Sequence, residues 1–267
     1  MDLSTMEVTS MNRDTYEKLR KMRLPEMASQ YRKHAESPEL YATMTFDEEF
    51  GLLVDAEFDA RTNNKIKRLL KNSSIPDTTA HIGGIEFLPE RHLNQDLFNT
   101  LQTNDYISNG LNIMLIGATG SGKTYISCAL ATNACRYEYR VKYFRLNEFF
   151  GTMEAARVQG IYDETINRFR RIPLMIFDDF LLLPTTQEEQ RDLLILLRAR
   201  DEDKTSTILC SQVAVKGWHE RLGSGGVADT LLDRITSNGY GTLVGHLLPA
   251  IDNGLGKQQK ITRRLAL

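Results

Sequence analysis

The segment GATGSGKT at residues 117–124 has the residue types and the spacing of a phosphate-binding loop. Its glycines allow backbone N–H groups to turn inward around phosphate oxygens, and the amino end of the helix expected next adds a positive dipole. Lys123 would place its charge on the β- and γ-phosphates, and the Thr124 hydroxyl would ligate Mg²⁺. The segment therefore predicts an ATP site. The residues expected to contact the nucleotide are Gly117, Ala118, Thr119, Gly120, Ser121, Gly122, Lys123, Thr124 and Tyr125.

Two adjacent aspartates, Asp178 and Asp179, end the apolar segment LMIFDD. A carboxylate at the end of such a strand holds the Mg²⁺ shell in P-loop NTPases, and we assign this role to Asp178. Asp179 is then placed to polarise the attacking water. Like charges side by side are unfavourable unless a cation or a reaction needs them, so the pair predicts hydrolysis. Aspartate is shorter than the glutamate common at the second position, and this keeps open a nucleotide-gated scaffold with negligible turnover.

Two further residues are candidates for sensing the nucleotide. Gln212 follows the apolar segment STILCS (206–211), and its amide is expected to reach the γ-phosphate, with Ser211 as the second choice. A polar cap on the strand end is the alternative. Arg234 lies in LLDRI (231–235) and acts as an arginine finger only if the ATP of a neighbouring subunit lies against it. Otherwise it is a solvated or ion-paired residue.

Strand and helix patterns alternate around these residues. The apolar segments predict strands, and the segments between them predict helices, from the P-loop to about 137, from the second strand to about 171, and over 187–200. Such alternation predicts a parallel sheet with helices on both faces. The predicted strands are NIMLI (112–116), VKYFR (141–145), LMIFD (174–178), STILCS (206–211) and GTLVGH (241–246).

The first third of the chain predicts helices instead. Helical patterns run over 16–70, interrupted near Pro25, and TFDE (45–48) resembles a capping box for a long helix that starts near Phe46. Residues 72–94 lack a period and contain Pro76, Gly83, Gly84 and Pro89, which is typical of a linker. A short helix over 95–108 follows. We therefore predict a helical domain at 1–75, a linker at 76–94 and an ATPase domain at 95–267.

Composition narrows the class of protein. The 267 residues are 41% hydrophobic and 25% charged, with a net charge of −2, as in ordinary soluble proteins. No apolar run approaches the ~18 residues that a membrane span needs. The three cysteines lie in apolar segments, and the amino terminus has no signal-like apolar stretch. These features predict a cytoplasmic protein with buried, reduced thiols.

Taken together, these motifs resemble the IstB-like helper ATPases of bacterial insertion sequences, AAA+ proteins related to DnaC-type helicase loaders. The resemblance covers nearly the whole chain from about Leu19. It is carried by LRKMRLPEMA (19–28), LLVDAEFDAR (52–61), GATGSGKTYISCALATNAC (117–135), YRVKYFR (139–145), LMIFDDF (174–180), ILCSQV (208–213) with Trp218-His219-Glu220, and ADTLLDRI (228–235). The P-loop part is generic, whereas the segments after 207 are far more specific.

The resemblance implies ATP-dependent oligomers on double-stranded DNA that recruit and stimulate a partner, IstA-like transposase. It also implies that the helical domain contacts partners and other copies, that Arg234 is the arginine finger, and that Gln212 is the first sensor. A second sensor arginine is expected near the C-terminus, at Arg263 or Arg264. Because only 33 residues follow Arg234, a four-helix lid at about 11 residues per helix does not fit, and the lid is expected to be absent or vestigial.

Two basic clusters are candidates for DNA contact. One lies in RTNNKIKRLLKN (61–72), which has no acidic residue, and the other follows the second strand. Phosphate contacts of this kind give salt-dependent, sequence-tolerant binding, and a solvated helix face is the alternative. The candidates are Lys65, Lys67, Arg68, Lys71, Arg157, Arg168, Arg170 and Arg171.

Two other functions stay open at this point. A helicase loader would act on single-stranded DNA and a replicative helicase, and the SQ…WHE segment favours the transposition helper over it. A small-molecule P-loop kinase would need an acceptor pocket and usually an Arg-rich closing lid, whereas this chain devotes its first third to helices.

Overall fold

The computed structural model describes residues 13–87, 93–237 and 239–243. Within it the chain divides into two compact units, with the boundary between Arg68 and Leu69. The domain and linker bounds at 75 and 94 stay a prediction. No helix in the described ranges is both long and apolar enough to span a bilayer. The predicted lid region and Arg263 and Arg264 lie outside the described residues.

The first unit is helical. Residues 13–21 form α1, Pro25–Glu36 form α2, Pro38–Leu40 form a 3₁₀ turn, and α3 begins at Phe46 and continues past the unit boundary to Ser73. The predicted capping box is confirmed, because the Thr45 amide donates to Glu48 Oε2 at 2.7 Å and the Glu48 amide donates to Thr45 Oγ1 at 3.4 Å.

A buried carboxylate joins two of these helices. Glu57 on α3 accepts hydrogen bonds from the Glu26 and Met27 amides at the first turn of α2, at 2.9 and 3.2 Å. Arg61 pairs with the same carboxylate at 2.7 Å. Burial is the largest single effect on the pKa of Glu57 and raises it. The hydrogen bonds from Arg61, Met27 and Glu26 together outweigh burial, so the pKa is lowered. The arrangement caps α2 with a side chain of α3 and stabilises the first unit.

The second unit contains a parallel five-stranded sheet in the order β2-β3-β4-β1-β5. The strands are β1 (Asn112–Ile116), β2 (Val141–Arg145), β3 (Leu174–Asp178), β4 (Ser206–Ser211) and β5 (Gly239–Leu243). The helices are α4 (Gln95–Leu101), α5 (Asp105–Ser108), α6 (Lys123–Arg136), α7 (Leu146–Val158), α8 (Tyr162–Arg170), α9 (Gln187–Glu202), α10 (Val215–Arg221) and α11 (Gly226–Ser237), with a 3₁₀ turn at Ile82–Gly84.

The predicted α/β architecture is confirmed, with local differences. The first four strands match their predicted bounds, whereas β5 begins at Gly239 instead of 241, and 244–246 lie outside the described residues. The helix predicted over 95–108 is two helices, because Asn104 adopts a left-handed conformation at φ 63°. The helical stretch after β2 is likewise divided at Gly160, with φ 71°.

Both faces of the sheet are buried, as continuous apolar strands require. One face packs Val141, Leu174 and Ile176 against α6, and the other packs Phe144 and Phe177 against α7 to α9. The three cysteines are buried free thiols, as predicted. Residues of the predicted linker also enter the first of these cores, among them Ala80 and Ile85, each almost inaccessible to solvent.

A buried arginine stabilises the end of the sheet at which the strands begin. Arg200, in the last turn of α9, donates to the carbonyl oxygens of Phe169 and Ile172 at 2.9 Å each, and to Thr207 Oγ1 at 3.0 Å. Burial lowers the pKa of its guanidinium to about 9, which leaves it charged at neutral pH. The side chain therefore ties α8 and α9 to the start of β4.

Candidate nucleotide-binding site

The P-loop connects the end of β1 to the start of α6. Gly120 and Gly122 have φ values of 77° and 91°, a region that favours glycine, and a Cβ at either would meet no atom within 4 Å. The glycines are therefore required by the backbone conformation and not by lack of space. The Gly117 amide donates to the Ser211 carbonyl at 3.1 Å, which fixes the start of the loop beside β4.

The Lys123 ammonium lies inside this loop. It donates to the carbonyl oxygens of Gly117 and Ala118 at 2.8 and 2.7 Å, and the side chain is almost fully buried. Burial lowers the pKa of Lys123, while the negative charges of Asp178 and Asp179 oppose that shift. The loop lysine and both aspartates therefore share one electrostatic environment.

The Asp178 carboxylate, 5% exposed at the end of β3, accepts three hydrogen bonds. The Thr124 hydroxyl donates to Oδ2 at 2.8 Å, the Tyr143 hydroxyl donates to the same oxygen at 2.5 Å, and the Asp179 amide donates to Oδ1 at 2.9 Å. The structure thus brings the predicted Mg²⁺ ligands, Thr124 and Asp178, into direct contact.

Tyr143 is the part of this cluster that sequence reasoning missed. It lies on β2 opposite Ile176, two residues before the position that pairs with Asp178, and its side chain shares the α6 face of the sheet. The signal was a buried hydroxyl-bearing residue in the segment VKYFR, where it lies between Lys142 and Phe144. Without the pairing register of β2 and β3, that segment does not reveal which residue the hydroxyl reaches.

Asp179 occupies the turn that follows β3. Its backbone is left-handed at φ 53°, a conformation that aspartate tolerates better than most residues, and its side chain is half-buried. The turn directs the chain away from the sheet immediately after Asp178. Burial lowers the pKa of Lys123, and the negative charge of Asp179 is among the nearby charges that oppose this shift. The role of Asp179 in activating water stays a prediction.

The two sensor candidates have different surroundings. The Thr119 hydroxyl of the P-loop donates to Gln212 Oε1 at 2.5 Å, so Gln212 is joined to the loop. The Ser211 hydroxyl instead donates to the Phe180 carbonyl at 2.7 Å and accepts from the Trp218 indole at 3.2 Å. Ser211 therefore connects β4 to neighbouring segments, and of the two candidates the geometry favours Gln212.

Arg234, on α11, lies away from the P-loop of its own chain. It lines a pocket with Gly110 and Asn112, which precede and begin β1, and with Asp201 at the end of α9. Its guanidinium pairs with the Asp201 carboxylate at 3.2 Å. The P-loop, Asp178 and Gln212 all lie at the carboxyl ends of strands, whereas Arg234 lies near the residues at which β1 begins.

Comparison with known proteins identifies the family of this chain. Residues 17–245 match the family described as IstB-like ATP binding protein. The chain belongs to this family. It is 32% identical over 234 residues to the insertion sequence ATP-binding protein y4pL of Sinorhizobium fredii, an alignment that covers 85% of this chain and 91% of that protein. It is 30% identical over 203 residues to the insertion sequence IS1162 ATP-binding protein of Pseudomonas fluorescens, covering 76% and 87%.

Solved structures support the same fold. DnaA from Aquifex aeolicus bound to AMPPCP superposes with a TM-score of 0.53 at 19% identity, over 63% of this chain and 50% of that one. This chain thus spans half the length of that DnaA. The DnaC helicase loader superposes with a TM-score of 0.52 at 13% identity, over 62% of this chain and 96% of that one. The IstB-like chain is therefore a P-loop ATPase with an AAA+ fold.

The oxygen ligands of this IstB-like site suit Mg²⁺. In P-loop enzymes the metal is held by one or two protein groups and the substrate phosphates. The Thr124 hydroxyl directs its proton to Asp178, which leaves lone pairs on its oxygen available to a cation. In the described part of the chain, no three His, Cys, Asp or Glu side chains form a group that could hold a metal ion.

The basic candidates fall into two groups. Arg157 pairs with Asp192 and Glu188 at 2.7 and 2.9 Å, and Arg170 pairs with Asp203 at 2.7 Å, so carboxylates of the same chain compensate their charges. Arg157 and Arg170 are therefore less suited than unpaired surface cations to contact DNA phosphates. The exposed candidates are Lys65, Lys67, Arg68 and Lys71 on α3, and Arg168 and Arg171 at the end of α8.

Proposed function

We propose that this IstB-like ATPase assembles on double-stranded target DNA and recruits and stimulates a partner, IstA-like transposase during transposition. The relatives named for insertion sequences support the biological setting. The observation that supports assembly is the position of Arg234, which lies at the end of the sheet where β1 begins, opposite to its own P-loop.

In the proposed hydrolysis, each residue of the site has a distinct task. Lys123 would exchange its bonds to the Gly117 and Ala118 carbonyls for bonds to phosphate oxygens. Thr124 and Asp178 would hold Mg²⁺, which would supply positive charge at the phosphates. Asp179 orients and polarises the attacking water. Gln212 senses the γ-phosphate, and its hydrogen bond with Thr119 links it to the P-loop.

Arg234 completes the site of a neighbouring copy in this proposal. A strand of five residues spans about 16 Å, so a side chain beside Asn112 lies too far from the phosphates bound after Ile116. The ion pair with Asp201 orients the guanidinium and reduces the entropy lost when it meets a phosphate. Such a finger supplies ~10³-fold or more of the rate where it stabilises the transition state.

Mixing two inactive variants tests this arrangement. Lys123→Ala inactivates the nucleotide site of the copy that carries it. Arg234→Ala removes the arginine that a copy would supply to the site of its neighbour. We expect each variant alone to lose DNA-stimulated ATPase activity and an equal mixture to regain part of it, since some interfaces then join an intact site to an intact finger. Arg198→Ala is the matched control, because Arg198 is an exposed arginine on α9 paired with Glu202. A mixture no more active than its components would contradict a finger in trans.

DNA contact is proposed on a basic edge, defined as Arg140, Lys142, Arg168 and Arg171. Lys142 lies on the edge strand β2 and donates to Ser74 Oγ at 2.6 Å, and Arg140 donates to the Arg171 carbonyl at 3.0 Å. Burial first, and then the positive charge of Arg168, lower the pKa of Lys142, so these cations lie close together. A concentration of positive charge on one edge is what phosphate binding needs.

Salt dependence tests the basic edge. Replacing Arg168 and Arg171 with alanine should weaken duplex binding about equally for all sequences and reduce the magnitude of the salt slope by about one per lost phosphate contact. Arg198→Ala again serves as the control. An unchanged salt slope would place the DNA elsewhere, with the exposed basic residues of α3, Lys65 to Lys71, as the next candidates.

The helical first unit is proposed as the contact for the transposase and for other copies. Phe46, Phe50, Val54 and Phe58 recur every fourth residue along α3, and each is at least 42% exposed. Apolar side chains on one exposed helix face are typical of a protein contact surface. Phe46→Ser with Phe58→Ser should reduce assembly measured by light scattering while ATP binding is retained, and unchanged assembly and transposase binding would exclude this surface.

A helicase loader is the second candidate function, and the similarity to DnaC shows the fold alone at 13% identity. The two functions differ in the DNA that they need. We expect double-stranded DNA to stimulate hydrolysis and to promote assembly, measured together by phosphate release and light scattering. Stimulation by single-stranded DNA alone would favour the loader.

A further inference from the structure

The Tyr143 hydroxyl is almost inaccessible to solvent and makes its hydrogen bond to the carboxylate at the centre of the ATP site. It donates to Asp178 Oδ2, the oxygen that also accepts the Thr124 hydroxyl. An ionised carboxylate only accepts hydrogen bonds, so the phenol is the donor in this contact.

The position of Tyr143 limits what the hydroxyl does. The side chain rises from β2, the strand next to β3, and packs in the core on the α6 face. Neither strand is part of the P-loop, so the contact does not depend on the conformation of the loop. Thr124 begins α6, and it reaches Oδ2 from the helix side. One oxygen of Asp178 is thus held from two different elements.

We propose that Tyr143 is a positioning residue that holds Asp178 in the rotamer needed to share Mg²⁺ with Thr124 and the nucleotide. The inference rests on the proposed metal role of this pair. If Asp178 were free to rotate, the Thr124 hydroxyl would lose its acceptor and would no longer present its oxygen to the metal. Groups that orient metal ligands in this way typically change metal affinity ~10–100-fold when they are removed.

Tyr143→Phe tests the proposal, because it removes one oxygen and keeps the packed ring. ADP binding is measured by calorimetry with Mg²⁺ and with EDTA, and the ratio of the two affinities is the Mg²⁺ increment. We expect Tyr143→Phe to reduce the increment about tenfold while ADP affinity in EDTA, which also reports folding, is unchanged.

Tyr162→Phe is the matched control. The Tyr162 hydroxyl also donates to an aspartate, Asp192 Oδ1, at 2.7 Å, but that carboxylate is paired with Arg157 and is not one of the proposed nucleotide-site residues. This variant should keep the full Mg²⁺ increment.

A second measurement does not depend on the folding of Tyr143→Phe. A 3-fluorotyrosine placed at position 143 should show a fluorine resonance shift when Mg²⁺ is added to the ADP-bound protein, and one placed at position 162 should not.

The outcomes separate the two proposals. A wild-type protein with no Mg²⁺ increment would overturn the metal role of Thr124 and Asp178, and the role of Tyr143 with it. A normal wild-type increment that Tyr143→Phe leaves intact, or a silent fluorine at 143, would overturn the role of Tyr143 alone.

Discussion

Two buried aspartates in the second unit look alike in burial and differ in charge compensation. Asp178 and Asp192 are 5% and 3% exposed, and each accepts a tyrosine hydroxyl, from Tyr143 and Tyr162 respectively. Asp192 also receives two hydrogen bonds from the Arg157 guanidinium, at 2.7 and 2.8 Å. In the part of the chain that the structure describes, the donors to Asp178 are two hydroxyls and one amide.

In the proposed mechanism, this difference separates a structural carboxylate, Asp192, from a metal-binding one, Asp178. A buried carboxylate that is paired with a guanidinium has its charge neutralised within the fold. The hydroxyl and amide donors to Asp178 carry no net charge that would cancel that of the carboxylate, which suits the cation proposed to bind there. The contrast supports the proposed assignment of Asp178 to the metal, and it shows that carboxylates of the same chain compensate the charge of Arg157.

The largest effect is expected from Asp178→Asn. The amide removes the charge and keeps the shape, so hydrolysis should fall at least ~100-fold, or about 2.7 kcal/mol of transition-state stabilisation, with little change in the unfolding midpoint. Steady-state phosphate release and thermal unfolding measure the two quantities. A variant that retains activity would remove Asp178 from the metal site.

Asp179→Asn should also lose most of its turnover, though less than Asp178→Asn, and should leave ATP binding intact, since the carboxylate next to Asp178 is proposed to act on water and not on the nucleotide. Binding of a fluorescent ATP analogue, compared with phosphate release, distinguishes these steps. Unchanged turnover would remove Asp179 from the mechanism and would show that one of the two adjacent acids is sufficient.

Asp192→Asn is the counterpart on the structural side. We expect ATPase activity to stay within about twofold of wild type while the free energy of unfolding falls by ~2 kcal/mol, because Arg157 loses its buried partner but keeps Glu188 and partial exposure to solvent. Urea denaturation gives the free energy of unfolding. If activity fell together with stability, the division between the two aspartates would be wrong.

The smallest effect is expected from Thr119→Ala. The variant removes the donor to Gln212 Oε1 and leaves Lys123, Thr124 and Asp178 in place. Hydrolysis should fall roughly fivefold, which corresponds to one hydrogen bond of about 1 kcal/mol. Gln212→Ala should produce at least the same loss, since it removes the proposed sensor itself. A larger loss in Thr119→Ala than in Gln212→Ala would show that Thr119 has another role.

The sequence predicted the parts of the site whose chemistry is local. The P-loop needs its glycines, lysine and threonine within one short segment. Asp178 ends an apolar segment that can be recognised as a strand from its own residues. Tyr143 and the Arg157–Asp192 pair were not predictable, because each contact joins residues 35 positions apart and depends on strand register or helix packing. The basic candidates differ for the same reason, since only the fold shows which arginines face carboxylates.

The location of Arg234 has a consequence for stoichiometry. If each copy offers its arginine to the next copy in one direction, the contact is head-to-tail, and such contacts form either closed rings or open helical filaments. In a ring every bound ATP meets an arginine, whereas an open filament has one fewer complete site than it has copies. Hydrolysis per copy would then rise with filament length and approach a plateau, and short filaments would retain a larger share of their ATP.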